Sequence, residues 1–215
     1  MTSNIIFTRY LYLKSGILES LDASILKNDF QESLFWAYEI YFSGFEEEIF
    51  EFIFGIIERY YKNFPKLTVF LKKKRKEKNE QTLGTILKNM CLRNRLLKEG
   101  TARQVYVIIN PQDVENQKTK NIGKQQLCLY DGLKRENDDS LLNHLLNCLR
   151  YNWLFYASHS PIWKTRVLEH NGIIDTEKKM ITFSNDDDLE NFYDKYGFEP
   201  DEQSEVIQKR LLFIK

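Results

Sequence analysis

Between Phe30 and Phe64 the chain alternates apolar and polar positions with the period of a helix, and that stretch organises the rest. In its second half Glu48, Glu51, Gly55, Glu58 and Lys62 recur at i, i+3, i+7, i+10 and i+14, one narrow polar stripe on a helix of 3.6 residues per turn. Ile49, Phe52, Ile53, Ile56 and Tyr60 lie on one side of the stripe, and Phe50, Phe54, Ile57, Tyr61 and Phe64 on the other. A helix so widely apolar requires more than one neighbour to cover it. Glu46, Glu47 and Glu48 set negative charge at its positive end, and Pro65 stops it by disfavouring the helical conformation at Phe64.

The preceding helix is expected from Gln31 to Phe42, with Phe30, Leu34, Ala37, Tyr38 and Tyr41 on one face and Phe35, Trp36, Ile40 and Phe42 widening it. Asp29 suits an N-cap and Gly44 a C′ position, so the connection is short and the two helices are antiparallel neighbours. A helix from Ser15 to Lys27 turns Ile17, Leu18, Leu21, Ile25 and Leu26 inward and completes a three-helix unit. The segment from Ile5 to Leu13 fits either a strand or an irregular lead-in.

Beyond Pro65 a further helix is expected to run into the basic segment 72–78, followed by another from Gln81 to Lys98. The β-branched run Gln104 to Ile109 predicts a strand, the polar stretch from Gln112 to Gln125 a loop, and Leu127 to Tyr130 a second short strand. Asp138, Asp139 and Ser140 open a helix to about Tyr156, and Ser160-Pro161 are the N-cap and N1 residues of one ending near Gly172. Ile173-Ile174 and Met180 to Phe183, joined across residues 176–179, predict a hairpin. Asn185 to Asp188 cap a helix ending at Gly197, and Asp201 caps a last one.

Composition narrows the class without naming a function. With 42% hydrophobic and 29% charged residues the chain is expected to fold, and only 9 Gly and 4 Pro favour long helices over turn-rich all-β folds. No uncharged run reaches the roughly 20 residues of a membrane span, and Arg9 interrupts the apolar N-terminal stretch, which argues against a secretory signal. Cys91, Cys128 and Cys148 are odd in number and widely spaced, a pattern of reduced intracellular thiols.

The formal net charge of zero conceals segmentation. From Ser15 to Glu58 there are ten acids against Lys27, whereas from Lys66 to Arg103 twelve bases face Glu77, Glu80 and Glu99. Lys72, Lys73, Lys74, Arg75, Lys76 and Lys78, extended by Arg93 and Arg95, form a candidate surface for nucleic acid or an acidic partner. Against that stand the simpler readings, that the block faces the acidic helical hairpin within the same fold or is a solvated helix end whose cations complement the dipole.

Candidate chemistry is sparse. His144 and Cys148 lie four apart on one helical face, a metal-ligand spacing, but no second pair completes a site. His159 stands beside Ser160, which is more simply the cap of the following helix. Asp186, Asp187 and Asp188 suit a hard cation or a helix N-terminus, and Glu39 is a lone acid among aromatics: buried, it would have a raised pKa and suit a general acid, and otherwise it pairs with a cation such as Arg9 or reaches solvent. No phosphate-cradling glycine loop, HExxH or GxSxG occurs, so neither a catalytic residue nor a cofactor is expected.

The segments RYLY at 9–12, SLFWAYE at 33–39, SGF at 43–45 and YGFEPDEQ at 196–203 together resemble a group of uncharacterised, aromatic-rich helical proteins of giant nucleocytoplasmic DNA viruses. The resemblance reaches both ends of the chain, with little contribution from Lys66 to Tyr130. It implies an intracellular viral protein, in the host cytoplasm or the virion, and the basic run adds the nucleus as an alternative address.

The expected architecture is mostly α, an antiparallel helical bundle with a minor β element, with α+β as the alternative. Its parts are an N-terminal helical unit over 1–110, a polar loop over 111–125 and a C-terminal helical unit with a small hairpin over 126–215, or one continuous domain. The leading functional expectation is a non-enzymatic protein-interaction or scaffold protein that binds a protein partner or self-associates. The alternative is a nucleic-acid-associated accessory protein, and no membrane is expected in either case.

Overall fold

The computed structural model describes residues 6–93, 107–118 and 153–196. The chain is mostly helical with one small antiparallel sheet, and it divides into two compact units, one of residues 17–126 and the other of 1–16 with 127–215. The described residues 6–16 therefore belong with the C-terminal unit, although the sequence groups them with the helices that follow.

α1 (Lys14–Lys27) enters the first unit at Ile17 and is followed after a left-handed Asn28 by α2 (Phe30–Tyr41), α3 (Glu46–Tyr60), α4 (Pro65–Lys74) and α5 (Glu80–Cys91), with α6 (Pro111–Lys118) later in the chain. Asp29 caps α2 as expected, its Oδ1 accepting from the Glu32 N–H at 3.0 Å. Gly44 turns the chain into α3 with φ 90°, a conformation in which a Cβ would be strained. α2 packs on α3 and α5, and its face from Ser33 to Ile40 is buried throughout. In α3 the buried residues are Ile49, Phe50, Ile53, Phe54, Ile56 and Ile57, the two sides of the polar stripe, while Glu48, Glu51 and Glu58 reach solvent.

Polar groups inside this unit hold specific partners. Ser33 Oγ joins Ser24 of α1 at 3.0 Å, and Cys91 of α5 reaches Ser33 at 3.7 Å. Tyr38 Oη donates to the Glu80 carbonyl at the start of α5 at 2.7 Å, and Tyr61 Oη donates to the Met90 carbonyl near its end at 3.2 Å. Burial, with Glu80 nearby, pushes the Tyr38 hydroxyl well above its ordinary pKa.

Residues 107–110 depart from the expectation. They are extended, yet among the described residues they join no sheet and lie instead along α5. The Asn89 side-chain amide donates to the Val107 carbonyl at 2.8 Å and accepts from the Val107 N–H at 3.2 Å, while the Ile109 N–H donates to Thr85 Oγ1 at 3.3 Å. Thr85 and Asn89, four residues apart on one helix face, thus replace a neighbouring strand. Gly84 makes room for the Ile109 side chain: a Cβ there would lie 2.2 Å from Ile109 Cδ1 and 2.6 Å from Tyr38 Oη. The polar stretch expected as a loop instead begins with α6, which buries Val114 and Gln117 and follows an Asn110 whose Oδ1 accepts from the Gln112 N–H.

In the second unit, α7 (Pro161–Glu169) leads through a left-handed Asn171 into β1 (Gly172–Asp175), which pairs antiparallel with β2 (Met180–Phe183), and α8 (Asp186–Tyr196) closes the motif. The predicted hairpin is present in the register Ile173 to Thr182 and Ile174 to Ile181. Residues 7–13 form a tight loop bridged by Phe7 and Leu13, with the Thr8 N–H bonded to the Tyr12 carbonyl at 2.9 Å. Trp163 holds this loop by donating its indole N–H to the Thr8 carbonyl at 2.9 Å, and Arg166 donates to the Arg9 carbonyl at 3.1 Å.

Candidate functional site

The basic run is distributed over the end of α4, a short 3-10 turn from Arg75 to Glu77, and the connection to α5. Lys74 contacts both carboxylate oxygens of Glu77 at 2.7 Å, and Lys78 pairs with Glu47 of α3. Lys72, Lys73 and Lys76 are exposed, and Lys73 lies near enough to Glu77 to help lower that carboxyl's pKa, after the Lys74 hydrogen bond that is the main cause. Arg93 is 5% exposed and donates to the Asn89 carbonyl at 2.8 Å and to Asn89 Oδ1 at 3.0 Å, so its guanidinium is held within the first unit and adds nothing to a surface with the lysines. Arg75 opens the 3-10 turn, and Arg95 lies outside the described residues.

An open groove lies beside this run, between the C-terminal half of α3 and α4, with a volume of about 700 Å³. Gly55, Glu58, Arg59 and Lys62 line one wall and Pro65, Thr68, Val69 and Lys72 the other, with Ile57 also contributing. Gly55, Glu58 and Arg59 share one face of α3, with Lys62 in the connection past its end, and Pro65, Thr68, Val69 and Lys72 share one face of α4. Nothing lies within 4 Å of where a Gly55 Cβ would stand, and Val69 is 69% exposed in spite of its apolar side chain. Arg59 is anchored at the rim, its Nε 3.5 Å from the Gly55 carbonyl and its guanidinium over the Tyr60 ring. The groove therefore combines apolar floor and wall with three cations and one acid.

The sequence contained a signal for this groove. Pro65, Thr68, Val69 and Lys72 fall off the face that Leu67 and Leu71 bury, and Gly55 interrupts a polar stripe otherwise made of charges. Gly55 and Thr68 are half-buried while Pro65, Val69 and Lys72 are exposed, and a groove arises only where the two helical faces meet.

The other candidates resolve differently. Glu39 is fully buried in α2. His144 and Cys148 lie outside the described residues. His159 is exposed and packs edge-on against Phe155 and Tyr156, while Ser160 occupies the N-cap position of α7 but donates its hydroxyl to the Ala157 carbonyl at 3.0 Å instead of capping the helix. Asp186, Asp187 and Asp188 form the first turn of α8, where Asp188 Oδ1 accepts from Asn171 and the Asp188 N–H donates to Asn185 Oδ1 at 2.8 Å. Among the described residues no group of His, Cys, Asp or Glu has the arrangement of a metal site, and no helix is long and apolar enough to cross a membrane.

Cys91 is a free thiol whose pKa burial pushes up to about 11 from near 9, partly offset by the Ser33 hydroxyl. A thiol this protonated reacts slowly. With Cys128 and Cys148 replaced by Ser, iodoacetamide at pH 8 should modify Cys91 about two orders of magnitude more slowly than a peptide thiol, and an equal rate would place the thiol in solvent. Because the folded-state value is the higher one, this group's contribution to stability is intact below about pH 9 and is lost as pH rises toward 11.

No protein-family model, curated protein or solved structure matches the chain.

Proposed function

We propose that this chain is a non-enzymatic protein-interaction or scaffold protein, made inside an infected cell by a large DNA virus. The viral assignment rests on the resemblance of the RYLY, SLFWAYE, SGF and YGFEPDEQ segments. The interaction role is carried by the groove between α3 and α4, where Val69 exposes an apolar surface beside Pro65. An open concavity with exposed apolar side chains ringed by charges is suited to another protein's side chains.

Nucleic acid is the alternative occupant of the cationic side. It is less well supported, because Lys74 and Lys78 already pair with Glu77 and Glu47, and Glu58 places a negative charge in the groove. Phosphate binding depends on adjacent uncompensated cations.

The two readings separate in one experiment. A photo-crosslinking amino acid at Val69, introduced into the protein in the cells that make it, should yield discrete adducts that protease removes and nuclease does not. The same residue at Lys164, exposed on α7, is the control. Adducts at Val69 that nuclease removes, or no adduct beyond those at Lys164, would end the protein-interaction reading.

A further inference from the structure

The geometry points to an acidic amphipathic helix of a partner protein as the occupant of the α3–α4 groove, an assignment that rests on the interaction reading above. Three features of the groove select this partner: its walls, its floor and its charge.

The walls are the end of α3 with Lys62 in the connection beyond it, and α4; neither is a strand, so they offer no sheet edge to an extended peptide. A peptide bound as a strand derives much of its affinity from main-chain hydrogen bonds to a sheet edge, whereas a helix satisfies its own backbone and needs only a place for its side chains. On α3 the lining residues run from Gly55 to Arg59, about one turn, with Lys62 in the connection beyond, and on α4 they run from Pro65 to Lys72, about two turns or roughly 10 Å of helix axis. The groove between these two helical faces gives the side-chain ridge of a third helix a place to seat.

Gly55 fixes how close that helix can come. Every other position on the outward stripe of α3 carries a long side chain, and at Gly55 the space a Cβ would enter is empty. Glycine in a helix interior costs about 1 kcal/mol relative to Ala, so its presence on an exposed face is not explained by the stability of α3. An apolar side chain of the partner can descend there to meet Val69 and Pro65.

Charge sets the partner's polar residues. Arg59, Lys62 and Lys72 surround the floor, with Glu58 as the one acid among the lining residues. Carboxylates on the flanks of the incoming helix meet these cations, whereas a basic helix would meet like charge. Such rim pairs chiefly steer and orient binding, while the apolar contact holds the complex.

The test uses a fluorescent, side-chain-stapled helical peptide with Leu at i, i+4 and i+7 and Glu on both flanks, titrated by anisotropy into the full chain. Binding is expected to weaken several-fold between low and physiological salt, and at least tenfold when every flanking Glu is replaced by Lys. Nothing stands within 4 Å of a Cβ at Gly55, and leucine is the better helix former, so Gly55→Leu should keep the thermal midpoint at or above that of the native chain while reducing binding at least tenfold. Val69→Glu, at an exposed site, should do the same. Lys62→Glu combined with Lys72→Glu should reverse the preference toward the lysine-flanked peptide.

Equal binding of the Glu and Lys peptides, or binding untouched by both Gly55→Leu and Val69→Glu, would overturn the assignment. Displacement of the peptide by single-stranded oligonucleotide, with oligonucleotide affinity lost in the charge-reversed variant and kept in Gly55→Leu, would reassign the groove to nucleic acid. If the peptide fails to bind while Val69 still crosslinks to protein in cells, the interaction reading survives and the acidic-helix assignment falls. If neither occurs, both fall.

Discussion

Asn89→Ala is expected to lower the stability of the first unit by about 3–5 kcal/mol, far more than truncating a polar side chain usually costs. Asn89 is fully buried, and its amide does several jobs at once: it donates to the Thr85 and Val107 carbonyls, each at 2.8 Å, and accepts from the Val107 N–H and Arg93. Alanine removes both of Val107's contacts with α5 and one acceptor of the Arg93 guanidinium. Each buried polar group left without its partner costs about 1–3 kcal/mol, and more when charge is involved. Urea unfolding should show a lower midpoint with little change in slope. Hydrogen exchange gives the more specific readout, since the Val107 amide should be protected in the native chain and exchange freely in the variant. A loss under about 1 kcal/mol with that protection intact would show that Asn89 does not hold residues 107–110.

The same contact explains where sequence reasoning stopped. The run ending in Val107, Ile108 and Ile109 is β-branched, and β-branching favours extended backbone whether or not a strand lies alongside. Its real partners, Thr85 and Asn89, are polar residues of a helix about twenty positions earlier, and no local periodicity links them to it. α3, by contrast, was legible because burial of a helix surrounded by neighbours follows the period of its own side chains. The hairpin was legible because two short apolar runs and a four-residue turn leave little choice of register. α6 was hidden because seven of its eight residues other than Val114 are polar or Pro, and polarity reads as loop.

For the candidate site the sequence supplied the charges but not their pairing. Glu47, thirty-one residues before Lys78, cannot be matched to it by inspection of a basic run, and Arg93 sits on the buried side of its helix end beside Asn89. The groove is a tertiary product in the same sense. Its cations Lys62 and Lys72 were visible one at a time, while the concavity between them depends on α3 and α4 lying together and on Gly55 leaving space.

Trp163→Ala should be as damaging to the second unit, by about 3–5 kcal/mol, because it removes a fully buried indole and leaves a cavity that rigid neighbours close only in part. Trp153 meets the ring edge-on at 5.6 Å between centroids, and the Arg166 guanidinium lies 4.4 Å over it. The indole N–H also bonds the Thr8 carbonyl, the link between α7 and the loop of residues 7–13. Losing the ring should therefore loosen the loop as well as the core. Arg9, 6% exposed in the native chain, becomes a sensitive reporter: trypsin should leave it intact in the native protein and cleave after it in the variant. Trp163→Phe separates the two contributions, since it refills most of the volume but cannot donate to Thr8, and about 1–2 kcal/mol with intermediate cleavage is the expected result. If Arg9 stays resistant in Trp163→Ala, the loop is held by its other contacts, of which the Arg166 bond to the Arg9 carbonyl is the nearest, and the indole acts only as filling for the core.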